Sequence, residues 1–114
     1  MSNRPNTADA GAARAQVRTA DSGALRVEGD LTFATVPTMV NALRDRMRDA
    51  HGTLEIDLSA VTHSDSAGLA LLVEWLRQAR RGNLALRFSH VPQQMRDIAH
   101  VTSLEHILAL GESG

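Results

Sequence analysis

With 114 residues, 43% of them apolar, and a formal net charge of −1, the chain has the size and composition of one globular domain rather than of a disordered or nucleic-acid-binding segment. All twelve basic residues are Arg, and Lys, Cys and Tyr are absent. That composition excludes Schiff-base, P-loop lysine, thiolate, disulfide and tyrosine chemistry.

Residues 1–14 are rich in Ala, Asn and Asp and offer little to pack, which predicts a disordered leader ahead of one domain spanning 15–110. This leader lacks the apolar run of about seven residues that a secretory signal needs, and no later segment approaches the roughly 20 apolar residues of a membrane span. A cytoplasmic protein is expected. Residues 15–20 and 24–28 are alternating runs joined by Asp21, Ser22 and Gly23, the pattern of two antiparallel strands around a tight turn. Gly29 and Asp30 break it.

Thr35 is placed to cap a helix whose apolar face is Val36, Met39, Val40, Leu43 and Met47, with Pro37 in its first turn and Gly52 as its stop. Between Thr53 and Leu58, apolar Leu54, Ile56 and Leu58 alternate with Glu55 and Asp57, which is strand periodicity. A helix over Ser66–Arg81, a Gly82–Asn83 stop and a strand over Leu84–Phe88 complete a β-α-β unit, whose strands should be parallel. Pro92 opens a further helix to about His100, and Leu104–Leu110 fits either a helix or a short strand. The fold class is α/β, a single domain with a small mixed sheet of about four strands and amphipathic helices packed on it.

Chemistry gathers where the central strand meets the long helix, at Asp65, Ser66, Ala67 and Gly68. A serine at a helix N-cap ordinarily accepts a backbone N–H of the first turn, contributing about 1 kcal/mol and requiring no partner. The same hydroxyl is also a place where a phosphate would meet the free N–H groups and positive end of the helix, changing a nearly neutral patch into an anionic one. Farther along, Leu69, Leu72, Val73 and Leu76 form the core stripe, and Leu71, Trp75 and Gln78 fall on the other side. That second stripe is either packed beneath a neighbouring helix or, with Ser66, a docking surface edged by Glu74 and Arg77.

Other constellations are weak. Ser66, His63 and Asp65 supply the residue types of a hydrolase triad, but neighbours in one turn do not easily set an imidazole between the other two. The histidines at 51, 63, 90, 100 and 106 show no metal-ligand spacing, so no metal and no cofactor is expected. Arg80 and Arg81 complement the dipole at the end of their helix.

The motif Asp57-Leu58-Ser59-x-Val61 followed by Asp65-Ser66-Ala67-Gly68 resembles the STAS family, which includes the anti-sigma factor antagonists. GLALLVEWLRQARRGN and VPQQMRDIAHVTSLEHIL are similar to the STAS subunit of Mla-type phospholipid ABC transporters, and the likeness runs from about Val17 to Leu108. It implies a non-catalytic accessory subunit that binds and stabilises or regulates a cytoplasmic ATPase. The permease and a lipid-binding subunit would complete the complex, which maintains outer-membrane lipid asymmetry. The motif and the second helical stripe together put the expected partner surface at Asp65, Ser66, Ala67, Gly68, Leu71, Trp75 and Gln78; the resemblance implies membrane association only through the complex, and the composition leaves no nucleic-acid partner expected. Ser66 matches the serine that a kinase phosphorylates in anti-sigma factor antagonists, the alternative function. Ala67 departs from those members, which usually carry a second Ser there.

Overall fold

The computed structural model describes residues 14–106. The expected leader, except Arg14, and positions 107–110 of the ambiguous last segment lie outside the described residues. The elements in chain order are β1 (Ala15–Thr19), β2 (Leu25–Leu31), α1 (Val36–Met39), α2 (Arg44–Asp49), β3 (Thr53–Ser64), α3 (Ser66–Arg81), β4 (Ala85–Ser89) and α4 (Gln93–Val101).

The strands form one sheet in the order β1-β2-β3-β4, antiparallel between β1 and β2 and parallel across β2, β3 and β4. The antiparallel pair turns at Gly23, whose φ of +92° suits a residue without a Cβ. Alternation along each strand sends Leu25, Val27, Ile56, Leu58, Leu86 and Phe88 into the core. Arg26, Glu55 and Arg87 lie exposed on the other face. There, cross-strand pairs neutralise one another, Arg18 Nε with Glu28 Oε1 at 3.1 Å and Arg26 Nε with Asp57 Oδ2 at 3.5 Å. Helices cover only the apolar face. Among the described residues, no helix is long and apolar enough to cross a membrane.

Three expectations need correction. First, β2 does not stop at Gly29, and β3 runs on past Leu58 to Ser64, because residues 28–31 pair with residues 60–64 across two register shifts. Gly29 takes φ +97°, and a Cβ there would lie 2.0 Å from the Arg14 carbonyl oxygen, so the residue is a bulge within the strand rather than its end. Second, the helix expected after Thr35 is two short pieces, α1 and α2. The carbonyl of Met39 accepts Trp75 Nε1–H at 3.2 Å and that of Val40 accepts Gln78 Nε2–H at 3.0 Å. Those oxygens would take the N–H groups of Leu43 and Arg44 in an unbroken helix; Arg44 N–H turns to Asn41 O instead, at 3.1 Å. Third, the buried Thr35 hydroxyl does not cap α1 but donates to Asp30 O at 2.6 Å, tying the loop back to β2.

Candidate functional site

Leu31 and Ser64 are register partners at the carboxyl ends of two parallel strands, so the loops leaving β2 and β3 start side by side. In open α/β sheets this end is where loops gather to meet ligands and partners. Gly68 lets α3 begin there. A Cβ at Gly68 would come 2.6 Å from the Leu31 carbonyl oxygen, so only glycine admits the first turn of α3 onto the end of β2.

Asp65, not Ser66, caps α3. Its Oδ1 accepts Ala67 N–H at 2.8 Å, while Oδ2 accepts the backbone N–H of Phe33 at 3.2 Å. Asp65 N–H in turn donates to Leu31 O at 3.2 Å. One residue thereby holds the helix start and the β2–α1 loop together. Relieved of the cap, Ser66 is the first helical residue; it is exposed, and its hydroxyl has no hydrogen bond among the described residues. Ala70, one turn on, is also exposed.

A second knot ties the same two strand ends. Asp30 Oδ1 accepts the Thr62 hydroxyl at 2.6 Å and faces His63 Nδ1 at 3.2 Å. The Thr62 hydroxyl above all, then His63, holds the Asp30 carboxyl below its ordinary pKa against the opposing effect of burial. With His63 directed to Asp30 and Asp65 directed to backbone amides, the residue types of a triad are not assembled as one.

The stripe of Leu71, Trp75 and Gln78 is corrected. Leu71 and Trp75 are 1% and 0% exposed, and half-buried Gln78 hydrogen-bonds the Val40 carbonyl. They pack beneath the α1–α2 segment. The cause is the width of the apolar surface on α3, which meets the sheet on one side and the chain after β2 on the other, so these residues supply structure rather than an open docking face. Of the other partner-site residues, Ser66 is exposed, Asp65 and Ala67 are half-buried, and Gly68 is buried.

Sequence reasoning passed over Phe33. It is 75% exposed and stands beside Asp65 in the loop after β2. A large apolar residue in a polar loop, away from either helical stripe, was the available signal.

The family described as Mlab, STAS domain, matches residues 15–110. The chain belongs to the STAS family. No curated protein sequence matches it. A solved structure, the murine solute carrier 26 family member A9 anion transporter in the inward-facing state, is similar over 88% of this chain and 20% of the transporter chain, with a TM-score of 0.59 and 14% identity. At that identity the likeness speaks for the fold alone. This STAS domain spans about a fifth of the transporter it matches.

Proposed function

We propose that this STAS domain is a non-catalytic accessory subunit of an Mla-type phospholipid ABC transporter, docking on the cytoplasmic ATPase with the end of the fold that carries Ser66. The observation that carries the reading is the exposed, unbonded Ser66 hydroxyl at the start of α3, in a domain of the MlaB-type family. The geometry supports this end over the open sheet face. On the sheet Arg18 pairs with Glu28 and Arg26 with Asp57, whereas around Ser66 exposed Phe33 and Ala70 offer apolar contact beside a free hydroxyl. Binding would stabilise or regulate the ATPase, with membrane contact made through the permease.

Affinity purification of the tagged protein from gently solubilised membranes tests this. Wild type should recover an ABC ATPase with its permease, and Ser66→Glu should lose both, because a carboxylate would be buried in the contact. Equal recovery with Ser66→Glu, or recovery of no ATPase, overturns the reading. An exposed serine hydroxyl free of any capping role also suits a kinase, which favours phosphorylation-controlled anti-sigma factor antagonism as the second reading. Recovery of a serine kinase without a transporter would select it.

A further inference from the structure

Phe33 is exposed, yet its backbone is not loose. Its N–H is held by Asp65 Oδ2 at 3.2 Å, and two residues on, the Thr35 hydroxyl is anchored on Asp30 O at 2.6 Å. Holding a hydrophobic ring out in water gives the isolated domain nothing, since burial is what makes apolar surface stabilising. Resting on the docking reading above, we propose that Phe33 is the anchor of that surface and enters an apolar pocket of the ATPase, and that Asp65 is the positioning residue that presents it.

Charge decides among possible occupants. The charged and polar groups of this end are Asp65, which holds the Phe33 N–H, the exposed Ser66 beside it in sequence, and the Asp30 carboxylate with its exposed partner His63, while Arg14 and Glu28 line a neighbouring groove with Ala34. At this end the carboxylates offer acceptors, so the complementary pocket has an apolar floor and N–H or guanidinium donors at its rim. A second copy of the same face would set these carboxylates against their own symmetry mates. An anionic lipid surface would repel them as well.

Asp65 also permits a clean separation of its two roles. Asparagine is as good an N-cap as aspartate, and its single side-chain oxygen can keep Ala67 N–H. The other terminal atom becomes an NH₂ group, a donor facing the donor N–H of Phe33. Asp65→Asn should therefore keep α3 and release the Phe33 loop.

The experiment pairs amide hydrogen exchange on the full chain alone with affinity for the ATPase, for wild type, Phe33→Ala, Asp65→Asn and the double variant. Asp65→Asn is expected to speed exchange at the Phe33 amide about tenfold and to leave the α3 amides unchanged. Phe33→Ala should weaken binding on the order of thirty-fold, and Asp65→Asn should weaken it without adding fully to Phe33→Ala. Wild-type affinity for Phe33→Ala overturns the anchor while leaving docking through Ser66 standing. Slow Phe33 exchange in Asp65→Asn overturns the positioning role. If wild type binds no ATPase, the docking reading fails, and the anchor with it, while the exchange measurement still decides whether Asp65 holds the loop. A dimer of the chain alone that Phe33→Ala converts to monomer assigns the ring to a second copy and overturns the proposal.

Discussion

At Gly68 the side chain that is missing matters more than any that is present. An added Cβ would lie 2.6 Å from the Leu31 carbonyl oxygen and 3.1 Å from the Leu31 side chain, and neither is the yielding end of a flexible group. Gly68→Ala should therefore destabilise the domain by about 1–3 kcal/mol, the usual cost of overpacking, as measured by denaturant unfolding. Gly82 provides the comparison. Its added Cβ would make only an ordinary contact, 3.7 Å from Ala79 O, and its φ is −99°, so Gly82→Ala should change stability by less than about 1 kcal/mol. Equal losses in the two variants would mean that the approach of α3 to β2 is looser than the geometry requires. Ser66 gives the opposite case, an exposed side chain without hydrogen bonds among the described residues. Ser66→Ala should leave the unfolding free energy within about 0.5 kcal/mol of wild type, so that any loss of partner binding reports contact rather than folding.

Among the elements, α3 contributes more to the core than any other, burying residues on both of its apolar stripes and joining the sheet to the segment after β2. Trp75 is fully buried and donates to the Met39 carbonyl at 3.2 Å. Trp75→Ala should cost about 3–5 kcal/mol, a large share of the stability of a domain this size, and melt it well below wild type in the absence of any partner. A folded Trp75→Ala domain of wild-type stability would return this residue to the surface. Period and punctuation identified β1, α3, β4 and α4, since each keeps one face more apolar and is bounded by a break such as Asp21-Ser22-Gly23, Gly82-Asn83 or Pro92. It could not say what lies above the second stripe of α3, because that is decided by where the chain after β2 folds back. For the same reason the break between α1 and α2 was hidden: residues 36–47 read as one amphipathic helix, and the side chains that take the Met39 and Val40 carbonyls arrive from 36 and 38 residues away. The end of β3 was hidden differently. Residues 59–64, Ser-Ala-Val-Thr-His-Ser, do not continue the apolar alternation of Leu54, Ile56 and Leu58, and they become strand because β2 continues beside them. At the site, the importance of Asp65 and Ser66 was legible from the strand-to-helix junction. The division of cap to Asp65 and free hydroxyl to Ser66 was not, because either residue type caps a helix well.

Charged side chains gather in two places on the molecule, the open face of the sheet, where Asp57 lies, and the loop end, where Asp30 lies. Asp57 sits on the sheet face near Arg26 and His90, at 3.5 and 3.3 Å, with Ser59 N–H donating to its Oδ1 at 2.9 Å. Burial is the largest single influence and pushes its pKa up, but the Ser59 hydrogen bonds and the His90 and Arg26 charges together outweigh it and hold the carboxyl below its ordinary value of 3.8. Asp30 at the loop end is lowered as well, chiefly by the Thr62 hydroxyl. In each case the unfolded chain takes up a proton more readily than the folded one as the pH falls. The stabilising effect of both groups is thus complete above the ordinary carboxylate pKa and is lost as the pH drops through 3.8 toward the lower folded values. His100 has the opposite sign. Glu105 raises its pKa, so its contribution is present below the ordinary histidine value of 6.5 and disappears as the pH rises past the folded value. Melting temperatures followed from pH 7 downward should not fall while His100 takes up its proton, and should drop once the carboxylates begin to protonate, with a shallower drop in Asp57→Asn, which has no such proton to take up. Asp30→Asn should flatten the same limb and also disturb the hydrogen bonds to Thr62 and His63, so a change in partner binding is expected at Asp30 and not at Asp57. Acid limbs as steep as wild type in both variants would mean that these pairings add no proton linkage, and an Asp57→Asn domain that loses its partner would move the docking surface to the open face of the sheet.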